Sequence, residues 1–117
     1  MTRQPIPSVT GADVERIIRR DFPPDRALEV LALLGEYVTG QGEPHRVRLA
    51  ALKLAAGSVD RLRHQIADAK IDYRDTLAPA EYPGYGKFGF RFRELPQEEQ
   101  QRIIDGDWMQ YQDWLTK

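Results

Sequence analysis

The sequence predicts an all-α protein of four to five helices in antiparallel pairs, with one short extended segment. Three observations carry this. Apolar residues recur every three to four positions through four long segments. Proline and glycine pairs punctuate the boundaries between those segments. Only residues 83–93 alternate with period two, and a lone strand cannot build a sheet.

Residues 1–9, with Pro5 and Pro7, read as an irregular lead-in to a single domain over 10–117. Thr10 is placed to N-cap the first helix, and Asp13 favours the positive end of its dipole. Val14, Ile17, Ile18 and Phe22 then share one helical face. Pro23-Pro24 ends this helix and starts the next. The second helix, Pro24 to Val38, carries Ala27, Leu28, Val30, Leu31, Leu33, Leu34 and Tyr37. These span more than one stripe, so the helix is expected to be covered on two sides. Thr39-Gly40-Gln41-Gly42 reads as a turn. A third helix starts with Pro44 at its first position and runs to about Ala56. Val47, Ala50, Ala51 and Leu54 form its inner stripe, widened by Leu49, Leu52 and Ala55. Gly57 is its C-cap and Ser58 the N-cap of the next.

The fourth helix is expected from Val59 to about Leu77, with Val59, Leu62, Ile66, Ala69 and Tyr73 on one seam and a charged outer face. Pro79 ends it or kinks a continuation to Tyr82. The segment PGYGKFGFRFR, from Pro83, reads as a strand or extended arm laying Phe88, Phe90 and Phe92 on the helices while Lys87, Arg91 and Arg93 face water. If Phe90 is buried there, its replacement by Ser costs roughly 3 kcal/mol. A capping helix over 95–115 begins at Leu95-Pro96, is weakened at Gly106, and resumes at Trp108. Ile103, Ile104, Trp108, Tyr111 and Leu115 can share its inner face, which leaves Trp114 partly exposed.

At 117 residues the chain has the size of one domain. Seventeen Lys and Arg against eighteen Asp and Glu give a net charge of −1. That balance argues against a dedicated nucleic-acid binder and against a polybasic membrane surface. The absence of cysteine excludes disulfides, thiolate nucleophiles and Cys-containing zinc sites. MTRQPIPSVTG has no apolar core of a secretory signal, and no run approaches the ~18 apolar residues of a membrane span. A cytoplasmic protein without membrane association or cofactor is therefore expected. The net charge conceals an asymmetry. From Glu94 onward six acidic residues stand against Arg102 and Lys117, locally −4, so the remainder is +3.

Pro44-His45-Arg46-Val47-Arg48-Leu49-Ala50-Ala51-Leu52 resembles the first helix of a HEAT-type repeat, and the resemblance extends over about residues 11–78. It implies stacked helix pairs. A solenoid of this kind needs about three stacked units, and the chain has room for about two. The aromatic arm and the capping helix would then close the stack. Asp72-Tyr73-Arg74-Asp75 with Glu81-Tyr82-Pro83 resembles small uncharacterised bacterial proteins, a resemblance that implies a bacterial source and supplies no activity.

Several constellations invite chemistry, each beside a plainer reading. Gly84-Tyr85-Gly86-Lys87-Phe88-Gly89 matches Gly-x-Gly-x-x-Gly, but no strand precedes it and no helix follows. Lys87 to Phe92 echoes the base-stacking strand of RNA-recognition motifs, whose fold needs four strands. Asp60, His64 and Asp68 share a helical face that is either a weak metal surface or a solvated one. The Asp72, Tyr73, Arg74, Asp75, Glu81 and Tyr82 cluster suits acid–base work, or else Tyr73 packs in the core while Arg74 bridges acids. Arg16, Arg19, Arg46, Arg48 and Arg63, with Arg20, Lys53 and Arg61, could align as a phosphate stripe, or form a mixed surface with the interleaved acids. Tyr82, Tyr85, Trp108, Tyr111 and Trp114 have the composition of a protein-binding patch, or of a terminal helix closing a core. The functional expectation is a small non-catalytic interaction module, an adaptor or immunity-like protein that binds another protein or itself. Nucleic-acid association through the arginines and catalysis by the 72–82 cluster are the alternatives.

Overall fold

The local signals at the start of the chain hold. Thr10 opens α1 (Gly11–Asp21), donating its backbone N–H to Asp13 Oδ2 at 2.9 Å, and Val14, Ile17, Ile18 and Phe22 all face inward. The computed structural model describes residues 4–37 and 43–117. Thr39-Gly40-Gln41-Gly42 lies outside the described residues, while the second helix ends at Gly35, short of the expected Val38. A 3-10 turn over Pro24–Arg26 leads into α2 (Ala27–Gly35), followed by α3 (Pro44–Ala55) and α4 (Val59–Ile71). Then come α5 (Arg74–Glu81), α6 (Pro83–Phe88), a 3-10 segment over Gly89–Glu94, and α7 (Gln97–Thr116). The protein is all-α: the described residues hold seven α-helices and no strand, where four to five helices and an extended arm are expected from the sequence.

Two differences have local causes. The expected fourth helix breaks in two because Asp72 turns out of helical geometry (φ −152°, ψ 109°) and its Oδ1 accepts the Arg74 N–H at 3.0 Å. A short acidic side chain that bonds a backbone N–H two residues on favours a turn over a continued helix. Pro79 then sits inside the new helix α5 instead of ending it. In the other direction, α7 runs unbroken through Gly106 for 20 residues. The ~1 kcal/mol cost of a helical glycine is outweighed by burial of Ile104, Tyr111 and Leu115 on its inner face.

The third difference is residues 83–93, which coil into α6 and the 3-10 segment. Asp107, buried on α7, accepts the N–H groups of Gly84 and Tyr85 at 2.8 and 2.9 Å, so its carboxylate caps α6 across the interface. A Cβ at Gly84 would lie 2.7 Å from Asp107 Oδ1, so this close approach requires glycine. The alternating phenylalanines consequently do not share a face: Phe92 is buried, Phe88 half-buried, and Phe90 is 92% exposed.

Helix α3 lies at the centre, with α1, α4 and α5 packed around it, while α2 packs on α4. A large aliphatic core runs through α1 to α5 and the end of α7. A second, smaller cluster of Tyr82, Phe92 and Ile104 joins α6, the 3-10 segment and the start of α7. The molecule is elongated, 48 × 29 × 22 Å. Helix α2 is buried on one side only, through Val30, Leu33 and Leu34, and leaves Leu28 and Leu31 exposed where two-sided cover is expected.

Candidate functional site

The ends of α1, α3 and α7 converge on an open cleft of about 850 Å³. Its walls include Arg20 and Asp21 from α1, Lys53 from α3, and Gln110 and Trp114 from α7, with Lys117 at its edge. Ser58 caps α4 by accepting the Arg61 N–H, as its sequence position predicts. Before it, Ala56 and Gly57 both take positive φ, 50° and 84°. Gly57 passes so close beneath the end of α1 that a Cβ would lie 2.8 Å from the Asp21 carbonyl oxygen. This turn sets the end of α3 against the end of α1 and so forms the cleft floor.

The cleft is cationic and aromatic. Arg20 is fixed: it donates to both Asp21 carboxylate oxygens at 2.8 and 3.1 Å and to the Trp114 carbonyl at 2.6 Å. Its guanidinium lies 5.3 Å from the Trp114 ring centroid, within cation–π range. Lys53 is different. It is half-buried, and among the described residues no carboxylate comes within ion-pair distance of it. Burial pushes its pKa down, and the more distant charge of Asp107 opposes that shift. An ammonium stripped of part of its water without a counter-ion favours an incoming anion. The Trp114 indole beside it offers an apolar wall.

A second polar group lies inside the fold. Arg46 of α3 grips Glu81 of α5 in a two-pronged pair, Nε to Oε2 at 2.8 Å and Nη2 to Oε1 at 2.6 Å. The Glu81 side chain is 2% exposed. The Tyr82 hydroxyl donates to the Pro5 carbonyl oxygen, and its pKa is pushed up to about 12 by burial and by the Glu81 charge. The Tyr111 hydroxyl is buried with no hydrogen-bond partner among the described residues, and burial raises its pKa strongly. A groove of about 260 Å³ beside this group touches Arg46, Tyr73, Glu81 and Tyr82.

The residues singled out in the sequence are scattered by the fold. Of the five arginines read as a phosphate stripe, Arg46 holds Glu81 and Arg48 donates to the Leu34 carbonyl in the last turn of α2 and to the Tyr37 carbonyl just after it. Arg16 pairs with Asp13, and Arg63 with Asp60 and Glu29. Only Arg19 among these five is exposed with no such partner among the described residues. The aromatic patch divides as well. Tyr111 and Tyr82 are buried, which removes them from any docking surface; Tyr85 stacks on Phe92 at 4.4 Å. Trp108 and Trp114 stay half-buried, Trp114 on the cleft. In the 72–82 cluster, Asp72 is bound by Arg74 at the surface while Glu81 is bound inside, so the two carboxylates do not meet. The amides of the Gly-x-Gly-x-x-Gly segment that would hold a phosphate are occupied by Asp107. Asp60, His64 and Asp68 remain on the exposed side of α4, and no group of three or more metal-ligand side chains comes together among the described residues.

In the sequence, Arg20 and Lys53 stand out only as members of the stripe, and nothing singles out Asp107. Lys53 carried one signal: a cation in the last turn of a helix whose neighbours Leu52 and Leu54 are apolar. Asp107 carried none, since its partners are 22 and 23 residues away. Compared with known proteins, the chain matches no family model, no curated protein and no solved structure. No described helix is long and apolar enough to cross a membrane.

Proposed function

We propose that the protein is a non-catalytic interaction module that takes an acidic segment of a partner protein into the cleft between α1, α3 and α7. The observation that carries this reading is Lys53, a half-buried ammonium on the wall of the cleft with no counter-ion among the described residues. A partner carboxylate supplies the missing charge, and its apolar neighbour packs on the Trp114 indole. The non-catalytic part of the reading rests on the engagement of the buried carboxylates: Glu81 by Arg46 and Asp107 by two amides. The stacking of α1 on α3 and of α2 on α4 accords with HEAT-like pairs, which belong to the same proposal.

The test is a titration of the full chain, carrying Trp108→Phe so that Trp114 is the sole indole, with a glutamate-rich peptide. Saturable change in Trp114 fluorescence is expected, weakened at least tenfold by Lys53→Gln and by raised salt. A response of equal size to a lysine-rich peptide, or none to either, overturns the reading. Tighter binding to single-stranded RNA than to the peptide would favour the nucleic-acid alternative instead.

A further inference from the structure

The outer face of α2 is apolar and uncovered. Leu28, Leu31, Ala32 and Gly35, spaced i, i+3, i+4 and i+7, form one exposed stripe, with Leu28 81% and Leu31 47% exposed. The geometry points to this stripe as a contact between two copies of the chain, with α2 packing antiparallel on its own copy about a two-fold axis.

Three observations select a second copy as the occupant. First, the stripe complements itself. When two such helices run antiparallel with the axis between Leu31 and Ala32, each Leu31 faces the partner's Ala32 and each Leu28 faces the partner's Gly35. Large side chains then meet small ones at every position, which lets the backbones approach closely. Second, no described residue of its own chain crowds Gly35. Its φ is not positive, and a Cβ built there meets nothing within 4 Å. Gly35 closes α2 at its last helical position, and its missing side chain leaves room on the stripe for the close approach of a neighbour. Third, the charges at the rim match their own copy. Glu15 and Arg19 border a groove of about 190 Å³ beside Ala27 and Leu31, and neither has an ion-pair partner among the described residues. A patch with one unmatched charge of each sign is answered by its two-fold image, Glu15 to the partner's Arg19 and Arg19 to the partner's Glu15. The stripe is short against the roughly 800 Å² per partner of a stable interface, so the dimer is weak and exchanges quickly.

Sedimentation velocity over a wide concentration range tests this directly. The expected result is an average mass that rises from 13.5 kDa towards twice that value as concentration increases. Leu31→Glu and Gly35→Leu should each weaken association at least tenfold. Both positions face solvent, so circular dichroism and thermal melts at low concentration should show the fold intact, and Gly35→Leu should raise the melting temperature of the isolated chain. Arg19→Glu should weaken the dimer, and adding Glu15→Arg should restore it. A mass that stays at one chain at every concentration overturns the proposal. A dimer that Gly35→Leu leaves unchanged overturns it equally, since the contact would then lie elsewhere.

Discussion

The body of the molecule and its C-terminal lobe are held together by different forces. The body, α1 to α5 with the end of α7, closes on a continuous aliphatic core in which Ile17, Val30, Leu49, Leu52, Leu62 and Ile66 are almost wholly buried. The lobe, α6 with the 3-10 segment and the start of α7, closes on three buried side chains, Tyr82, Phe92 and Ile104. Its glycines contribute no burial, so its chain path is set by polar anchors: Asp107 on the amides of α6, and the Gln100 side chain on the Leu95 carbonyl at 2.9 Å. Where apolar surface is scarce, a few satisfied hydrogen bonds choose among conformations that burial alone would leave nearly equal.

Within the body, the Arg46–Glu81 pair ties α3 to the end of α5, just before the chain enters the lobe, and breaking it has the largest expected effect. Arg46→Met leaves a carboxylate that is 2% exposed without its counter-charge. The unfolding free energy in urea should fall by about 3–5 kcal/mol. The double substitution Arg46→Met with Glu81→Leu should recover much of that loss, because an apolar pair needs no compensation. Equal losses in the single and double variants would assign the effect to packing and not to the stranded charge.

Asp107→Ala tests whether the lobe is anchored as described. It frees two amides at the start of α6 and should lower stability by roughly 1–3 kcal/mol. Hydrogen exchange should locate the damage. Protection should fall through α6 and the 3-10 segment while α3 and α4 keep theirs. Loss spread evenly over the chain would mean that the two regions unfold as one unit.

This division also explains what could be read in the sequence. Val14, Ile17, Ile18 and Phe22 declare α1 because a core on one side imposes helical spacing, and Thr10 and Ser58 mark the starts of α1 and α4 because caps act over three residues. Phe88, Phe90 and Phe92 mislead because their period of two reflects no shared burial: α6 ends at Phe88 and the 3-10 segment turns Phe90 outward. The candidate cleft was legible only as residue types. Arg20, Lys53 and Trp114 come from three helices, and the turn that sets α3 against α1 depends on the unusual backbone of Ala56 and Gly57.

Alkaline pH should act through two buried phenols, Tyr82 in the small cluster and Tyr111 in the large core. Burial raises the Tyr82 pKa to about 12, against about 10 in an unfolded chain. The folded state therefore favours the neutral phenol. The resulting stability is full below pH 10 and is lost as pH rises through about 12, amounting to about 2 kcal/mol. Tyr111, also raised by burial, shifts stability in the same direction. Urea midpoints for the native chain should therefore fall across this window, and Tyr82→Phe should fall less steeply. Parallel declines would place the sensitivity at Tyr111 alone.

Phe90→Ser is expected to have the smallest effect, and it separates two descriptions of the same sequence. An extended arm with Phe90 packed on the helices loses roughly 3 kcal/mol when the ring is removed. A 3-10 segment with Phe90 92% exposed loses no packing, and an exposed substitution of this kind stays within about 0.5 kcal/mol. The melting temperature should accordingly be unchanged. A drop of several degrees would show that residues 83–93 lie extended against the body, and that polar anchoring does not define the lobe.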